Sequence, residues 1–297
     1  MPTSRPDPTT DLFETHRPRL VRLAYRMLGS TAEAEDVVQD AWLRWRTADV
    51  DTVREPGAWL TRVTTRLCLD QLKSARSRRE TYVGSWLPEP LIGSFDPPQD
   101  DLGDDLTLTL MMALERLSPL ERAAFLLHDV FGVGFDEVGR TLDRDAPAVR
   151  QLAARARKHV QDARPRFPVA PEEGDRIAQA FFAASRSGDV AALRGLLAES
   201  VVVTSDGGGK VFAFPRPIRG LDHVLRLYAG LTRKYGADSF VQIRPMRIDG
   251  LPGYASLERG ALLQTTALEI EDGRITGVYV TRNPEKLARV AAELGLA

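Results

Sequence analysis

The chain has almost no cysteine: one thiol, Cys68, in 297 residues. That excludes an intrachain disulfide framework, and no Cys/His cluster has the spacing of a structural zinc site, so neither a metal nor a cofactor is expected. Long apolar runs are missing as well. Nowhere do eighteen apolar residues follow one another, and Met1 to Asp11 is polar and Pro-rich with no apolar stretch. A membrane span or a cleaved export signal is therefore not expected, and a reducing cytoplasm fits. Net charge is absent too. Forty Lys+Arg against 41 Asp+Glu leave -1, which gives no global basic footprint of the kind a nucleic-acid coat carries.

What is present is patterned by segment. The length is about twice the usual ~150 residues of one domain, so two or three units are expected. Leu12, Phe13, His16, Leu20, Leu23, Ala24 and Leu28 recur at helical spacing up to Gly29, and Ser30 or Thr31 can cap the next helix. That helix turns Val37, Val38, Ala41, Trp42 and Trp45 inward. Pro56 opens a third helix through Trp59, Leu60, Val63, Leu67 and Leu72. From Thr81 to Asp105 the periodicity stops, four prolines and five aspartates gather, and a flexible linker is expected. Helices resume at Leu106. Ser118-Pro119-Leu120-Glu121 is a capping box with Pro at the first helical position.

Phe135 to Leu142 and Ala146 to Val160 read as two helices joined by Asp143-Arg144-Asp145, the pattern of a helix-turn-helix. After Pro165 to Pro171 the class of pattern changes. Helical stretches at Asp175 to Ser187 and Asp189 to Ala198 precede a β run at Val201 to Thr204 and the turn Asp206-Gly207-Gly208-Gly209. A helix near Asp222 to Tyr235 leads into strands at Phe240 to Ile248 and Leu262 to Glu271, and Asp272-Gly273 turns the last into Ile275 to Thr281. Two all-α modules followed by an α+β cone with an antiparallel meander are expected. All four tryptophans lie at or before Trp86, which sets the two halves apart.

The neutrality is a cancellation. Arg62 to Arg79 holds six bases against one acid, a net +5; Arg144 to Arg166 holds seven against two, again +5; Glu80 to Glu137 holds two against twelve, or -10. In the helix-turn-helix, Asp145 stands at an N-cap, and with Val149, Leu152 and Ala156 inward the opposite face presents Arg150, Gln151, Arg155 and Lys158. Arg pairs bidentately with guanine, Gln with adenine, and the other cations suit phosphates, so these four are the candidate duplex-reading residues.

Three blocks carry a resemblance: Glu33 to Leu43 (EAEDVVQDAWL), Pro56 to Val63 (PGAWLTRV) and Leu117 to Arg122 (LSPLER). In this order they are similar to extracytoplasmic-function sigma factors, over roughly residues 11–165. The resemblance implies a region 2 domain over 1–85, an acidic linker over 86–107 and a region 4 domain over 108–168. It implies that Asp36, Gln39, Asp40 and Arg44, on one polar helix face, dock on core RNA polymerase. It further implies that Arg62, Arg66, Lys73 and Arg76 serve the minus-ten element as single-stranded DNA, and that Arg150, Gln151, Arg155 and Lys158 read the minus-thirty-five element. Arg66 stands where many members carry Asn, Gly134 where a Ser-like cap is common, and Asp143 where Gly is common.

Residues 169–297 resemble a SnoaL-like, NTF2-like domain. Trp86-Leu87-Pro88-Glu89-Pro90, Asp206-Gly207-Gly208-Gly209-Lys210 and Asn283-Pro284-Glu285-Lys286-Leu287 are similar to the motifs of sigma factors that carry such a domain as a fused extension, in place of a separate anti-sigma protein. The resemblance implies contact between Trp86, Leu87 and Pro88 on the linker and Asp206, Gly207, Lys210, Asn283 and Pro284 on the extension. Trp86 and Leu87, held extended by Pro88 and Pro90, make an apolar anchor, and the glycines permit close backbone approach. The expected partners are core RNA polymerase and promoter DNA, with no membrane, a monomeric chain, and room for a small-molecule ligand, lipid-like or aromatic, in the cone. No acid–base pair stands out, so an enzyme is not expected. Two rival classes stay open: an isomerase or cyclase with His223 as its base, fused to a DNA-binding arm, and a ligand-responsive repressor.

Overall fold

The computed structural model describes residues 8–49, 52–80, 82–92, 108–161, 169–258 and 261–296, without the side chains of Pro8, 74–80 and Phe240. It divides into two compact units. The first is helical. α1 (Pro8–Leu28) ends at Gly29, whose φ of 73° lets its N–H return to the Tyr25 carbonyl at 2.7 Å. The Ser30 side chain then accepts from the Glu33 N–H and starts α2 (Thr31–Thr47). α3 (Pro56–Glu80) closes the bundle, and Leu20, Leu23, Met27, Trp45 and Leu60 are fully buried between the three.

The same unit contains a second set of helices. α4 (Leu108–Glu115) leads to α5 (Pro119–Phe125), which opens on the capping box: Ser118 accepts from the Glu121 N–H while the Glu121 carboxylate accepts from the Ser118 N–H. Leu126–Val130 continues as a π-helical turn rather than as α-helix. α6 (Phe135–Leu142) and α7 (Ala146–Gln161) complete the helix-turn-helix. Gly134 occupies an N-cap without a side-chain bond, and Asp143 adopts the left-handed conformation at φ 55°. A Cβ on Gly139 would lie 2.6 Å from the Arg144 carbonyl oxygen, so only glycine admits the tight turn here. The two helical sets touch: the buried Arg122 guanidinium donates to the Met27 carbonyl and pairs with Glu115 at 2.7 Å.

The second unit holds the C-terminal domain. α8 (Pro171–Ser187), α9 (Val190–Leu196) and α10 (Leu221–Tyr235) bury Ile177, Phe181, Leu193 and Val224 against a six-stranded mixed sheet. Its strands are β1 (Leu197–Asp206), β2 (Ile218–Arg219), β3 (Phe240–Ile248), β4 (Leu251–Glu258), β5 (Leu262–Glu271) and β6 (Arg274–Thr281), in spatial order β2-β1-β6-β5-β4-β3. Two features depart from the expected antiparallel meander. β1 and β6 pair in parallel, with Thr204 opposite Tyr279, because the intervening chain crosses back before β6. β4 is an additional strand, entered through the positive-φ pair Asp249 and Gly250. A final helix, α11 (Ala288–Glu293), packs Val290 beside Leu251, Ala267 and Ile248.

Residues 82–92 belong to this second unit, as does the start of α4. The linker is thus not free over its first half. Ile92 forms a bridge with Ile248 at the β3 end of the sheet, and Ile92 and Leu108 enter the same small core as Val290.

Candidate functional site

Four groups of side chains carry the chemistry. On α7, Val149, Leu152, Ala153, Ala156 and Val160 are buried, so the face carrying Arg150, Gln151, Arg155 and Lys158 is left exposed. The Asp145 carboxylate accepts from the Ala148 N–H at 2.8 Å and sets the start of the helix. The Arg150 guanidinium lies 5.8 Å from the Phe135 ring centre. Arg155 donates to Glu121 at 2.8 Å; although burial opposes it, the Glu121 carboxyl is held below its ordinary value by its bonds to Ser118 and Arg155. Gln151 and Lys158 remain exposed.

On α2, Asp36, Gln39, Asp40 and Arg44 are exposed together. Leu43, which the pattern of polar residues does not single out, is half exposed among them. On α3 the expected minus-ten residues differ in their surroundings. Arg62 is half-buried, with its Nε out of solvent and without a hydrogen bond among the described residues. Arg66 donates to the carbonyls of Thr141 and Arg140, both at 3.2 Å, so α6 occupies it. Lys73 makes an exposed pair with Asp70. The Arg76 side chain lies outside the described residues.

The densest constellation is in the second unit, around Asp206 at the end of β1. Its carboxylate is fully buried and accepts four bonds: from Tyr82 Oη at 2.6 Å, from the Leu87 N–H at 2.8 Å, from the Gly208 N–H at 3.0 Å and from Lys286 Nζ at 2.8 Å. Lys286 also donates to the Leu87 carbonyl and lies 4.2 Å from the Trp86 ring centre and 5.1 Å from that of Tyr82. Asn283 donates to Tyr82 Oη at 3.1 Å. Burial, and then the bond to Asp206, push the Tyr82 phenol above its ordinary value, so it stays a donor.

Glycine is required here sterically. Gly208 and Gly209 have φ of 63° and 71°; a Cβ on Gly207 would meet the Val211 carbonyl oxygen at 2.3 Å, and one on Gly208 the Asn283 amide at 2.3 Å. Leu87 and Pro88 are buried, Trp86 half-buried and Pro284 exposed, while Lys210 pairs with Glu285 within the domain.

A second anchor was not read from the sequence. The Asp249 N–H donates to the Leu91 carbonyl at 2.9 Å, and the Asp249 carbonyl accepts from the Leu108 N–H at 2.9 Å. Thr109 donates to Glu269 at 3.2 Å, and Tyr279 Oη donates to the same carboxylate at 2.7 Å. Burial holds the Glu269 carboxyl above its ordinary value despite these bonds. The sequence signal for this site is Asp249-Gly250, the same hairpin dipeptide as Asp272-Gly273.

The sheet and α8 and α10 also enclose a cavity of about 370 Å³. Its charged side chains are paired: Glu258 with Arg282, and Arg186 with Asp238. His223 lies outside it, exposed in the first turn of α10 with Nδ1 at 3.0 Å from the Arg219 carbonyl. Among the described residues no three His, Cys, Asp or Glu side chains cluster as metal ligands.

Comparison with known proteins agrees with this layout. A family model described as Sigma-70 region 2 matches residues 12–78, and one described as Sigma-70, region 4 matches residues 107–160. The chain is 38% identical to the ECF RNA polymerase sigma factor SigJ of Mycobacterium tuberculosis, over 92% of this chain and 91% of that protein. It is 34% identical to the probable ECF RNA polymerase sigma factor SigI of the same species, over 98% and 99% respectively. The crystal structure of the M. tuberculosis extracytoplasmic function sigma factor SigJ superposes with a TM-score of 0.73 at 33% identity, covering 94% of this chain and 98% of that one.

Proposed function

This chain belongs to the extracytoplasmic-function RNA polymerase sigma factors, and from that premise we propose that its own C-terminal domain governs initiation by gripping the linker between the two promoter-reading modules. As a member of the family it directs promoter-dependent initiation by core RNA polymerase. In this reading α2 docks on core through Asp36, Gln39, Asp40 and Arg44, with Leu43 as an apolar contact among them. α3 serves the minus-ten element and α7 reads the minus-thirty-five element through Arg150, Gln151, Arg155 and Lys158.

The observation that carries the regulatory part is the buried Asp206 carboxylate, which holds Tyr82 and the Leu87 backbone. Tyr82 stands two residues after the end of α3, and Leu108 and Thr109, at the start of α4, are held by Asp249 and Glu269. The elements named minus-ten and minus-thirty-five lie 25 base pairs apart, about 85 Å at ~3.4 Å per base pair. With Arg66 bonded directly to the Thr141 and Arg140 carbonyls, the two modules touch and do not span that distance. They have to part for both elements to be read, and a linker pinned at both ends opposes this. The grip is therefore inhibitory.

The chain acts as a monomer in the cytoplasm beside its polymerase, with promoter DNA as the other partner; among the described residues no helix is long and apolar enough to cross a membrane. Its C-terminal domain binds rather than catalyses, and has room for a small molecule. The paired state of Glu258 and the outward position of His223 support this. Run-off transcription with core enzyme is the test. Promoter-dependent product is expected from the full chain, with more of it from Asp206→Asn; absence of product from both refutes the initiation role, and equal product from both refutes the grip.

A further inference from the structure

The cavity of the C-terminal domain and the grip on the linker share their walls. Val203 and Ser205 of β1 line the cavity, and the next residue, Asp206, holds the linker. Arg282 lines it beside Asn283, the residue that reaches Tyr82. Phe212 and Phe214 line it shortly after the glycines, where a Cβ on Gly209 would come within 3.1 Å of Val83 Cβ. A change in what fills the cavity therefore acts on the backbone that forms the grip.

The lining selects a chemistry. Phe182, Tyr228 and Tyr254 make an aromatic wall, with Phe182 and Tyr254 edge-to-face at 4.9 Å between centroids. Along β4 and β5 Thr266 stands opposite Tyr254, and in the next pair on that face Gln264 donates to Ser256 at 3.1 Å. The two buried charges there, Glu258 and Arg282, neutralise each other. A charged ligand beside Glu258 and Arg282 would have to break that pair and leave one charge uncompensated, whereas a neutral hydrogen-bonding group can use Gln264 and Ser256 without disturbing it. The volume of about 370 Å³ falls within the roughly 300–1,000 Å³ of small-molecule sites. Phe212, 69% exposed, stands edge-on to Phe214 at the wall of the cavity.

We infer that this cavity is the binding site for an uncharged aromatic small molecule with one small hydrogen-bonding group, and that occupancy tightens the grip on the linker through residues 207–217. This rests on the inhibitory grip proposed above. The ligand orders Phe212 and Phe214, the loop that carries Gly208 and Gly209 is fixed with them, and the Asp206–Tyr82–Asn283 contact opens less often. By reciprocity, whatever loosens the linker weakens the ligand by the same factor.

The test uses the full chain with N-phenyl-1-naphthylamine as a neutral aromatic probe and 8-anilinonaphthalene-1-sulfonate as its anionic counterpart. Saturable fluorescence enhancement by the neutral probe is expected, at least tenfold tighter than by the anion, and at least tenfold weaker in Leu231→Trp and Leu227→Trp, two fillings of the cavity from successive turns of α10 with folding checked by circular dichroism. No saturable binding, equal binding of the two probes, or undiminished binding in both folded variants overturns the site. Bound probe is expected to slow amide hydrogen exchange at Leu87 several-fold, and Tyr82→Phe to weaken the probe correspondingly. Unchanged exchange at Leu87 overturns the coupling. The grip itself is judged separately, by Asp206→Asn transcription without any probe.

Discussion

Replacing Asp206 by Asn removes one charge and almost no volume. The wild-type carboxylate is fully buried and accepts from Tyr82, Leu87, Gly208 and Lys286. Hydrogen bonds to a charged group contribute ~1.5–3 kcal/mol and neutral ones ~0.5–1.5, so weakening several of them costs a few kcal/mol. Independently, stripping a buried ion of its partner costs ~3–5 kcal/mol. The Lys286 side chain keeps 13% exposure and some hydration, which favours the lower end, about 3 kcal/mol. At about 1.4 kcal/mol per decade, segment 82–92 should open roughly a hundredfold more often. Native-state exchange at the Leu87 amide reads this directly, because that N–H is bonded to Asp206 itself. The double variant Asp206→Asn/Lys286→Met, which removes both charges, should lose less than Asp206→Asn alone. Unchanged protection at Leu87 in the single variant would refute the reasoning, as would an equal loss across β1 and β6, which would mean that the domain unfolds and the linker merely follows.

Three further outcomes follow from the geometry. Gly208→Ala puts a Cβ on the Asn283 amide at a φ of 63°, a conformation costing ~1–2 kcal/mol for an L-residue before any collision; thermal melting should show a destabilised C-terminal domain, and Leu87 exchange should rise. Glu269 has a raised folded-state pKa, so its protonated form favours the fold; stability is fullest at low pH and declines as pH climbs through the folded value. Glu269→Gln should flatten that decline in melting curves between about pH 4 and pH 8, and a wild-type profile identical to the variant's would contradict it. Gln151→Ala should cost ~1–3 kcal/mol at one base position of the minus-thirty-five element and leave other positions unaffected, measured by transcription from promoters substituted base by base.

Local signals were legible where the structure they specify is local. Ser30, Ser118 with Glu121, and Asp145 announce helix starts because each cap bonds an N–H three residues away. The apolar period of α7 likewise separates Val149 and Ala156 from Arg150 and Gln151. β4 escaped because it is buried on both faces, with Leu257 alone among its apolar residues only partly covered, so no alternation marks it, and Pro252 and Gly253 argue against a strand. The parallel pairing of β1 with β6 and the bond from Leu91 to Asp249 join residues too distant in sequence for any spacing to report. The engagement of Arg66 by α6 is of the same kind: its partners are backbone carbonyls some 75 residues on. The cancellation of charge, by contrast, is fully a property of the sequence, and Arg155 spends part of its charge on Glu121.

Pinning a linker at both ends to one domain separates its length from its reach. While Tyr82 and Leu87 are held at one end and Leu108 and Thr109 at the other, the reach of the chain from α3 to α4 is set by those contacts and not by the number of residues between 92 and 108. Inserting or deleting residues there should leave the separation of the two modules unchanged. If the contacts of 82–92 release and those of Leu108 and Thr109 persist, the 27 residues from 81 to 107 join the tether, and at ~3.3–3.6 Å each they extend to about 90 Å. That is comparable to the ~85 Å between the two promoter elements. One latch therefore suffices: opening the Asp206 end alone gives the chain between α3 and α4 a leash long enough for the duplex it has to measure.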